Sequence, residues 1–424
     1  MTTTRNHTIT ESILAPNNKC SWLARLSFAW EHPLCAAAFS MIVYCLFAGW
    51  YRPLGQNSIY NYYNYLADAF LHWRVSFRLQ PQSVVDLSFY QSHSYPYWPP
   101  FPAVLLMPFI AIFGVHFSDI IFTLGVASLN VALIALLLRQ ATLRGVIQLS
   151  RVQRGLLVAF FALGTVALPL APLGGVWYTG QIVGCLCVIL AYLAAISLHG
   201  MRAAVLVGLA LACALLTRNN LVFAGLWPAG YVLYQARAEG RRRLVGYTVA
   251  GFTPVLMAFG VICVYNWLRF DSIWETGYTF HQMNERFRSD FNQYGPFSLH
   301  YLSRNLYYQY VAYPFPYDPG ESLGGSLFLL SPVFFGALQG LFAGRPRWSA
   351  WLLFGSLMLV NIPILLLMGT GWVQFGPRYT FDFTVPLLLL TALGIRRWPI
   401  WLLASFTVIS IGHYVIGTVI LVRP

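Results

Sequence analysis

Apolar segments as long as a lipid bilayer is thick constrain the fold of this 424-residue chain more than any other feature. Several of them run for roughly 17 to 25 residues, the length that an α-helix needs to cross the hydrocarbon core. Only 9% of the residues are charged and the mean hydropathy is +0.61, whereas a soluble domain carries about 25% charged residues. The sequence therefore predicts an all-α fold, a polytopic bundle of about 10–13 transmembrane helices.

These segments predict one membrane-embedded domain, residues 33–424, preceded by a polar tail, residues 1–32, that we expect in the cytoplasm. The first apolar segment, 33–50, starts far from the N-terminus and lacks a small-residue cleavage site, which favours an uncleaved signal anchor. We expect two loops on the outer side of the membrane, at 51–100 and 269–324. The other apolar segments lie at about 101–115, 118–138, 155–172, 179–199, 203–217, 221–235, 245–268, 325–343, 350–368, 383–395 and 399–420.

The formal net charge of +13 comes largely from arginines in short connectors between apolar segments. This is the positive-inside pattern of membrane proteins, and without a contiguous basic patch we expect no nucleic-acid partner. The connectors at 139–154 and 237–243 should then both be cytoplasmic. The two connectors cannot both be cytoplasmic if 101–115 and 118–138 are both full crossings. Either one of these two segments is re-entrant, or the connector at 139–154 breaks the rule.

The first outer loop contains two candidate general bases, Asp68 and Asp86, because a carboxylate near an acceptor hydroxyl can take its proton. The alternative is that Asp68 caps or solvates a helix and Asp86 starts a turn. Residues 58–73 combine helical periodicity with dense aromatics, which is typical of a helix in the membrane interface. Aromatic residues stack on sugars but also form interface belts. Three of them are candidates for binding a sugar or an acceptor: Tyr65, Tyr97 and Trp98.

A polar interruption at 369–382 contains Arg378, flanked by Gln374 and Asp382. An arginine at membrane depth is costly and marks a functional site by default, and its guanidinium suits bidentate phosphate binding. The alternative is a structural ion pair with Asp382, four residues on. Arg218, in the polar run LTRNNL, is a second candidate for phosphate binding unless it simply ends a helix. Gln374 is a candidate for binding the sugar or the acceptor.

The second outer loop contains His281, Glu285 and Arg286. His281 and Glu285 are spaced i, i+4 and would share one face of a helix. We consider His281 for sugar or acceptor binding and Arg286 for the donor phosphate. No second histidine is near and no D-x-D motif occurs, so the sequence indicates neither a metal site nor another cofactor. Phosphate-loop, nucleophile-elbow and zincin motifs are also missing, which leaves ATP hydrolysis, serine hydrolase and zincin activity without support.

The block YNYLADAFLHWR in the first loop and the block YPYWPPFPAVLLMPFIAIFG at its end resemble the N-terminal module of the GT-C membrane glycosyltransferases. Later blocks are similar to bacterial, family 39-like members of that superfamily: LGGVWYTGQIVG, NWLRFDSIWETGY, FSLHYLSRNLYYQYV and GWVQFGPRYTFDFTVPLLLL. The resemblance covers residues 33–395. The order of the blocks carries it more than any single motif does.

The resemblance implies inverting transfer of a sugar from a polyprenyl-phosphate donor to a lipid, glycan or protein acceptor, on the outer face of a bacterial plasma membrane. It implies that a first-loop carboxylate, Asp68 or Asp86, is the base, and that arginines bind the donor phosphate, Arg378 with help from Arg286 and Arg218. Many members carry an adjacent acid pair soon after the first helix, where this chain reads GQNSIYNYYN. Either the catalytic acid has moved to one of the two aspartates, or this chain has lost the activity.

A transporter or flippase of a lipid-linked saccharide or a small solute is the alternative from another functional class. It would use the same arginine and aromatic residues for binding but would need no base. Discontinuous helices in two matching halves would favour transport. The sequence shows no such symmetry, and the long first loop favours an enzyme.

Overall fold

The computed structural model describes residues 29–316, 318, 323–343 and 346–421. Most of the polar tail at 1–32 therefore lies outside the described residues. The rest is a bundle of helices, as the sequence predicts. Its helices are α1 (Pro33–Tyr51), α2 (Tyr62–Leu71), α3 (Phe101–Phe113), α4 (Asp119–Leu143), α5 (Arg151–Leu163), α6 (Ala167–Leu170), α7 (Gly175–Ser197), α8 (Gly200–Leu215), α9 (Leu226–Ala236), α10 (Arg241–Phe270), α11 (Glu285–Tyr294), α12 (Leu302–Leu306), α13 (Leu327–Leu330), α14 (Phe335–Ala343), α15 (Arg347–Leu366), α16 (Thr384–Gly394) and α17 (Ile400–Leu421).

Seven helical segments in the described part of the chain are long and apolar enough to cross a membrane. One of them joins the 3₁₀ turn Arg378–Phe383 to α16, so that it runs from Arg378 to Arg397. Another 3₁₀ helix, Asn219–Gly225, separates α8 from α9. The protein is therefore an integral membrane protein, and two of its apolar stretches are broken near arginines.

Two small sheets interrupt the helical fold. In the first loop, β1 (Leu87–Tyr90) pairs antiparallel with β2 (His93–Pro96). Gln91 and Ser92 connect them with positive φ angles of 46° and 63°, which matches the two-residue turns that join tightly twisted hairpins. Farther along the chain, β3 (Leu323–Gly324) pairs parallel with β4 (Gln374–Phe375).

Long-range contacts show which segments cross. The side chain of Ser118, just before α4, donates to the carbonyl oxygens of Leu54 (3.0 Å) and Gln56 (2.8 Å), just after α1. At the opposite end of the same two helices, Glu31 pairs with Arg151 at 2.8 Å. Hence α1 and α4 are antiparallel neighbours, and the 13-residue α3 between them, about 20 Å long, is too short to be a full crossing. A re-entrant segment, the first of the two alternatives, therefore explains how the connectors at 139–154 and 237–243 can lie on the same side.

The arginine-bearing connectors lie together at one end of the bundle, which we call the arginine end. Arg144 contacts His199 at 3.1 Å, and Arg396 donates to Gln148 at 3.1 Å. Tyr247 donates to Glu239 at 2.8 Å and lies against Gly200. The connectors at 139–154 and 237–243 therefore share one end, as predicted. The first and second loops lie at the other end, which we call the site end.

The first-loop helix is shorter and more buried than the sequence indicates. It spans Tyr62–Leu71 rather than 58–73, and seven of its ten residues are buried. Asn64 fixes it to the α3–α4 connection by donating to Val115 O (3.1 Å) and Phe117 O (2.7 Å). Protein covers most of the surface of this helix, and its position in the membrane interface stays a prediction.

Candidate functional site

Two breaks in apolar helices bring charged side chains to the site end. The chain leaves α8 at Leu215, and Arg218 immediately precedes the 3₁₀ helix Asn219–Gly225. The 3₁₀ turn Arg378–Phe383 precedes α16 in the same way. In each case the break places an arginine beside the outer loops rather than within a continuous membrane helix. A guanidinium at such a break can meet a polar ligand without being desolvated by lipid.

Arg378 is buried, with 9% of its surface exposed, and contacts no carboxylate among the described residues. Its guanidinium carbon lies 5.4 Å from the ring centre of Tyr178 and 5.1 Å from that of Tyr379. Its Nε atom is buried without a hydrogen-bond acceptor in the described structure. Gln181 holds the backbone by donating to Arg378 O at 3.0 Å. A buried cation in this state favours an anionic ligand, because a bound anion would supply the missing acceptors.

Arg218 is held differently. Its Nε donates to Asp382 Oδ2 at 3.0 Å, and Asn220 donates to the same oxygen at 2.8 Å. Its guanidinium carbon lies 5.2 Å from the ring centre of Tyr379, so the two arginines flank one aromatic ring. The alternative ion pair between Arg378 and Asp382 is not formed. Asp382 instead neutralises Arg218 and leaves Arg378 without a carboxylate.

Asp86 lies at the start of β1 with a backbone φ of +61°. Its N–H donates to Gln282 O at 3.0 Å, and its Oδ1 lies 3.3 Å from His281 Nε2. About a quarter of its side chain (24%) is exposed, whereas the His281 side chain is almost entirely buried. Ser88 reinforces this arrangement by donating to Gly277 O at 2.7 Å. The hairpin thus presents a solvent-accessible carboxylate at a fixed position.

Tyr97 lies beside His281, the residue that contacts Asp86. Its ring centre is 5.0 Å from that of Tyr278 and 4.8 Å from that of His281. Burial raises the pKa of Tyr97 well above its ordinary value; the charge of Asp86 raises it further, and the charge of Arg378 opposes the rise. Both charges therefore act on the same hydroxyl group, and Tyr97 stays protonated at neutral pH. This brings the predicted residues Asp86, His281, Tyr97 and Arg378 into one site.

Asp68 is engaged in a structural contact. It lies buried on α2, and Arg78 donates to both of its oxygens at 3.0 Å in a bidentate pair. His72 Nδ1 contacts the Asp68 carbonyl oxygen at 2.8 Å. A carboxylate whose two oxygens are both held by a guanidinium is a poor proton acceptor. Of the two candidate bases, the geometry favours Asp86.

Three other predicted residues, Trp98, Tyr65 and Gln374, make contacts of different kinds around this site. Trp98 is buried and stacks on Tyr97 at 4.0 Å, whereas Tyr65 packs against Phe77 at 5.8 Å. Gln374 is buried in β4, where it donates to Leu323 O at 2.9 Å and to Thr370 O at 3.0 Å. Its contacts therefore support the loop that leads into Arg378.

The second-loop residues do not form the group that their spacing indicates. His281 follows a short 3₁₀ turn, and Glu285 begins α11, so the two do not share a helical face. Glu285 is exposed and pairs with Arg288 at 2.9 Å. Arg286 is exposed on α11, with its guanidinium 5.1 Å from the Trp372 ring centre. In the described part of the chain, no three His, Cys, Asp or Glu residues gather in a way that could hold a metal ion.

The loop before Arg378 has an unusual backbone. Val373 has a φ of +52°, which is a strained conformation for a β-branched residue. Gly371 has a φ of +104°, and a Cβ atom there would lie 2.2 Å from Gln374 Oε1 and 2.8 Å from Arg378 Nε. The loop therefore needs glycine at this position to fit around Gln374 and Arg378. Backbone strain of this kind concentrates at functional sites.

Asp119 is a buried acid that sequence reasoning missed. Its carboxylate accepts from the Ser58 N–H (2.8 Å), the Ser58 hydroxyl (2.5 Å) and the Gly175 N–H (2.7 Å). These bonds join the start of the first loop to the starts of α4 and α7. With its oxygens already used, Asp119 positions the loop. Its only signal in the sequence is an acid at the start of an apolar segment.

Comparison with known proteins gives a likeness of fold. No family model matches the sequence, and no curated protein matches it. The crystal structure of ArnT from Cupriavidus metallidurans bound to undecaprenyl phosphate is similar, with a TM-score of 0.50 and 14% identity over 90% of this chain and 61% of that one. The oligosaccharyltransferase of Archaeoglobus fulgidus in the apo form gives a TM-score of 0.49 and 14% identity over 96% of this chain and 56% of that one.

This chain thus spans less than two thirds of the length of these solved structures. At 14% identity the likeness concerns the arrangement of helices and not the residues of the site. It agrees with the resemblance found in the sequence blocks. The chain therefore shares the helical fold of the ArnT crystal structure.

Proposed function

We propose that this chain is an inverting membrane glycosyltransferase that takes its sugar from a polyprenyl-phosphate donor. The observation that carries the proposal is the buried Arg378 guanidinium, which has no carboxylate partner in the described structure, together with the accessible Asp86 carboxylate beside His281 and Tyr97. One group suits an anionic donor and the other suits proton transfer. Undecaprenyl phosphate bound to the structurally similar ArnT is consistent with such a donor.

Arg378 would bind the donor phosphate. Its planar guanidinium can donate two parallel hydrogen bonds to phosphate oxygens. Because Asp382 neutralises Arg218, the positive charge available to the ligand is that of Arg378. Arg218 would orient Tyr379 and support the loop, and Arg286 at the exposed rim would attract the phosphate only weakly, since water and salt screen its charge.

Asp86 would act as the general base. It would take the proton of the acceptor hydroxyl while the acceptor oxygen forms a bond to the anomeric carbon of the sugar. The bond from that carbon to the phosphate oxygen breaks in the same displacement, which inverts the configuration. The released polyprenyl phosphate carries the additional negative charge, and Arg378 would stabilise it.

The aromatic residues beside Asp86 would bind the sugar. Tyr97 and Trp98 stack on each other, and Tyr278 lies on the other side of Tyr97. Their faces suit the apolar face of a sugar ring, and the protonated Tyr97 hydroxyl can donate a hydrogen bond. His281 would fix Asp86, and Tyr65 and Gln374 would support this wall from behind. The acceptor is a lipid, glycan or protein hydroxyl.

We further propose that the protein lies in a bacterial plasma membrane with the site end outward. The arginine end supports this orientation, because basic connectors remain on the cytoplasmic side. The site end carries Asp86, Arg378 and the aromatic wall. No part of the proposed mechanism needs a metal ion or a redox cofactor.

The test uses the purified chain in nanodiscs with a panel of radiolabelled polyprenyl-phosphate sugars. We expect cleavage of at least one donor by the wild type and an inverted anomeric configuration in the product. Proteoliposomes loaded with the same donors test the transporter alternative. Movement of an intact donor across the vesicle membrane, with no cleavage of any donor by folded protein, would contradict the proposal.

A further inference from the structure

An apolar groove of about 410 Å³ lies between α8, α9 and α10 and extends to Val222 and Phe223 of the 3₁₀ helix that follows Arg218. Its wall includes Val207 and Leu211 of α8, Leu226 and Val232 of α9, and Tyr247 and Phe252 of α10. We call it the α8–α10 groove. Phe252 is 60% exposed, so the groove opens toward the surroundings of the bundle rather than being closed.

Close packing on one side creates this groove. A Cβ atom at Gly208 would lie 2.1 Å from Gly251 O, so α8 and α10 contact each other through their backbones at this point. With α8 and α10 so close, the space between them and α9 is left to small or flexible side chains. Nearly the whole wall is hydrocarbon. Its two hydroxyl groups are already used as donors, Tyr247 to Glu239 at 2.8 Å and Thr248 to Leu244 O at 2.9 Å.

The Tyr247 end of the groove is at the arginine end of the bundle. Arg237 follows Leu233 of the wall by four residues, and Arg241 precedes Thr248 by seven. These helical spacings continue the groove-lining faces of α9 and α10. Neither arginine pairs with a carboxylate among the described residues, although the Arg237 guanidinium lies 3.5 Å from the ring centre of Tyr234. Arg243 already holds Glu239, the nearby acid, at 2.9 Å.

We propose that the α8–α10 groove binds a phospholipid with an anionic headgroup, its acyl chain along the apolar wall and its phosphate at Arg237 and Arg241. An apolar channel that ends in unpaired arginines is complementary to an amphiphile with a negative head. A zwitterionic lipid gains less from these arginines. A polyprenyl phosphate is a different occupant: bound to Arg378 it would have its phosphate at the site end, whereas Arg237 and Arg241 lie at the arginine end.

Native mass spectrometry of the delipidated full-length chain tests the proposal, with phosphatidylglycerol and phosphatidylcholine of identical acyl chains as probes. We expect one phosphatidylglycerol to be retained at least tenfold more tightly than phosphatidylcholine. Since an arginine near an anionic lipid is worth about fivefold in affinity, Arg237→Gln/Arg241→Gln should weaken phosphatidylglycerol binding roughly thirty-fold. Arg397→Gln, an exposed arginine on a different connector at the same end, is the matched control and should change nothing.

Ala229→Trp tests the acyl-chain part, because Ala229 is an exposed residue of the groove wall and a tryptophan would fill the space. It should abolish specific retention of both lipids while the thermal unfolding midpoint stays at the wild-type value. Equal retention of the two lipids, or unchanged binding in either groove variant, would overturn the proposal. So would polyprenyl phosphate occupying the groove with phosphatidylglycerol unable to compete. None of these outcomes depends on glycosyl transfer.

Discussion

The two carboxylates of the first loop are held in opposite ways. Asp68, on α2, has both oxygens bound by Arg78 and is buried. Asp86, at the hairpin, contacts only His281 through its side chain in the described structure and remains partly exposed on a left-handed backbone. The difference shows that an acid in this loop is not enough to identify the base. The carboxylate that can accept a proton is the one whose oxygens are free of a strong cationic partner.

The two arginines at the helix breaks repeat this contrast. Arg218 is neutralised by Asp382 and hydrogen-bonded into a network with Asn220. The Arg378 guanidinium lies beside the rings of Tyr178 and Tyr379 and has no carboxylate partner among the described residues. In both pairs the engaged residue supports the structure around it, and the proposed function assigns ligand contact to the other residue. Variants of the engaged and the unengaged residue of each pair should therefore differ in their effects.

The largest effect should come from Asp86→Asn. Removing a general base lowers turnover by about 10²- to 10⁴-fold, and asparagine keeps the shape of the side chain. The measurement is the single-turnover rate of sugar transfer in nanodiscs. Asp68→Asn is the matched control and should keep the rate within about threefold. If Asp68→Asn lost turnover and Asp86→Asn kept it, the assignment of the base would be reversed.

Arg378→Gln should weaken donor binding by about 10- to 100-fold, because a hydrogen bond to a charged group contributes about 1.5–3 kcal/mol. The measurement is the concentration dependence of transfer, which separates KM from kcat. Arg286→Gln provides the comparison: its exposed charge is screened, so KM should change less than about threefold. Equal losses in both variants would show that the buried cation has no special role.

Gly371→Ala should weaken donor binding by about tenfold, a smaller effect than loss of the guanidinium itself. A Cβ at this positive-φ position would lie 2.2 Å from Gln374 Oε1, so the loop that supports Arg378 must shift. Gly369→Ala in the same loop is the control, because its nearest neighbour would be at 3.5 Å. Identical KM values in the two variants would contradict the inference that this loop fits closely around Gln374 and Arg378.

Asp68→Asn should have the smallest effect on activity and act on stability instead. Loss of the bidentate pair should lower the denaturation midpoint, because the buried Asp68 side chain loses its charged partner. The measurement is the denaturation midpoint in detergent, compared among Asp68→Asn, Arg78→Gln and the double variant. If the pair acts as one unit, the double variant is no less stable than either single variant. Fully additive losses would show that the two residues do not stabilise the loop through each other.

The sequence predicts much of the fold because a helix that crosses the bilayer needs a long run of apolar residues, and such a run is visible in the local composition. The apolar segments and the interruption around Arg378 are visible from residue type alone. The partner of each charged side chain is not visible from residue type, because it depends on residues that are distant in the sequence. Asp382 binds Arg218 rather than the nearby Arg378, and Asp68 binds Arg78. The place of α3 likewise depends on contacts such as Ser118 with Leu54, which no local pattern encodes.

Equilibrium binding of polyprenyl phosphate to wild type, Asp86→Asn and Arg378→Gln in nanodiscs tests the central claim most directly, because it needs neither a sugar nor an acceptor. The account assigns phosphate binding to Arg378 and proton transfer to Asp86. It predicts that Asp86→Asn binds within about twofold of wild type, while Arg378→Gln binds at least about tenfold more weakly. Wild-type affinity in Arg378→Gln, measured on folded protein, would contradict the account.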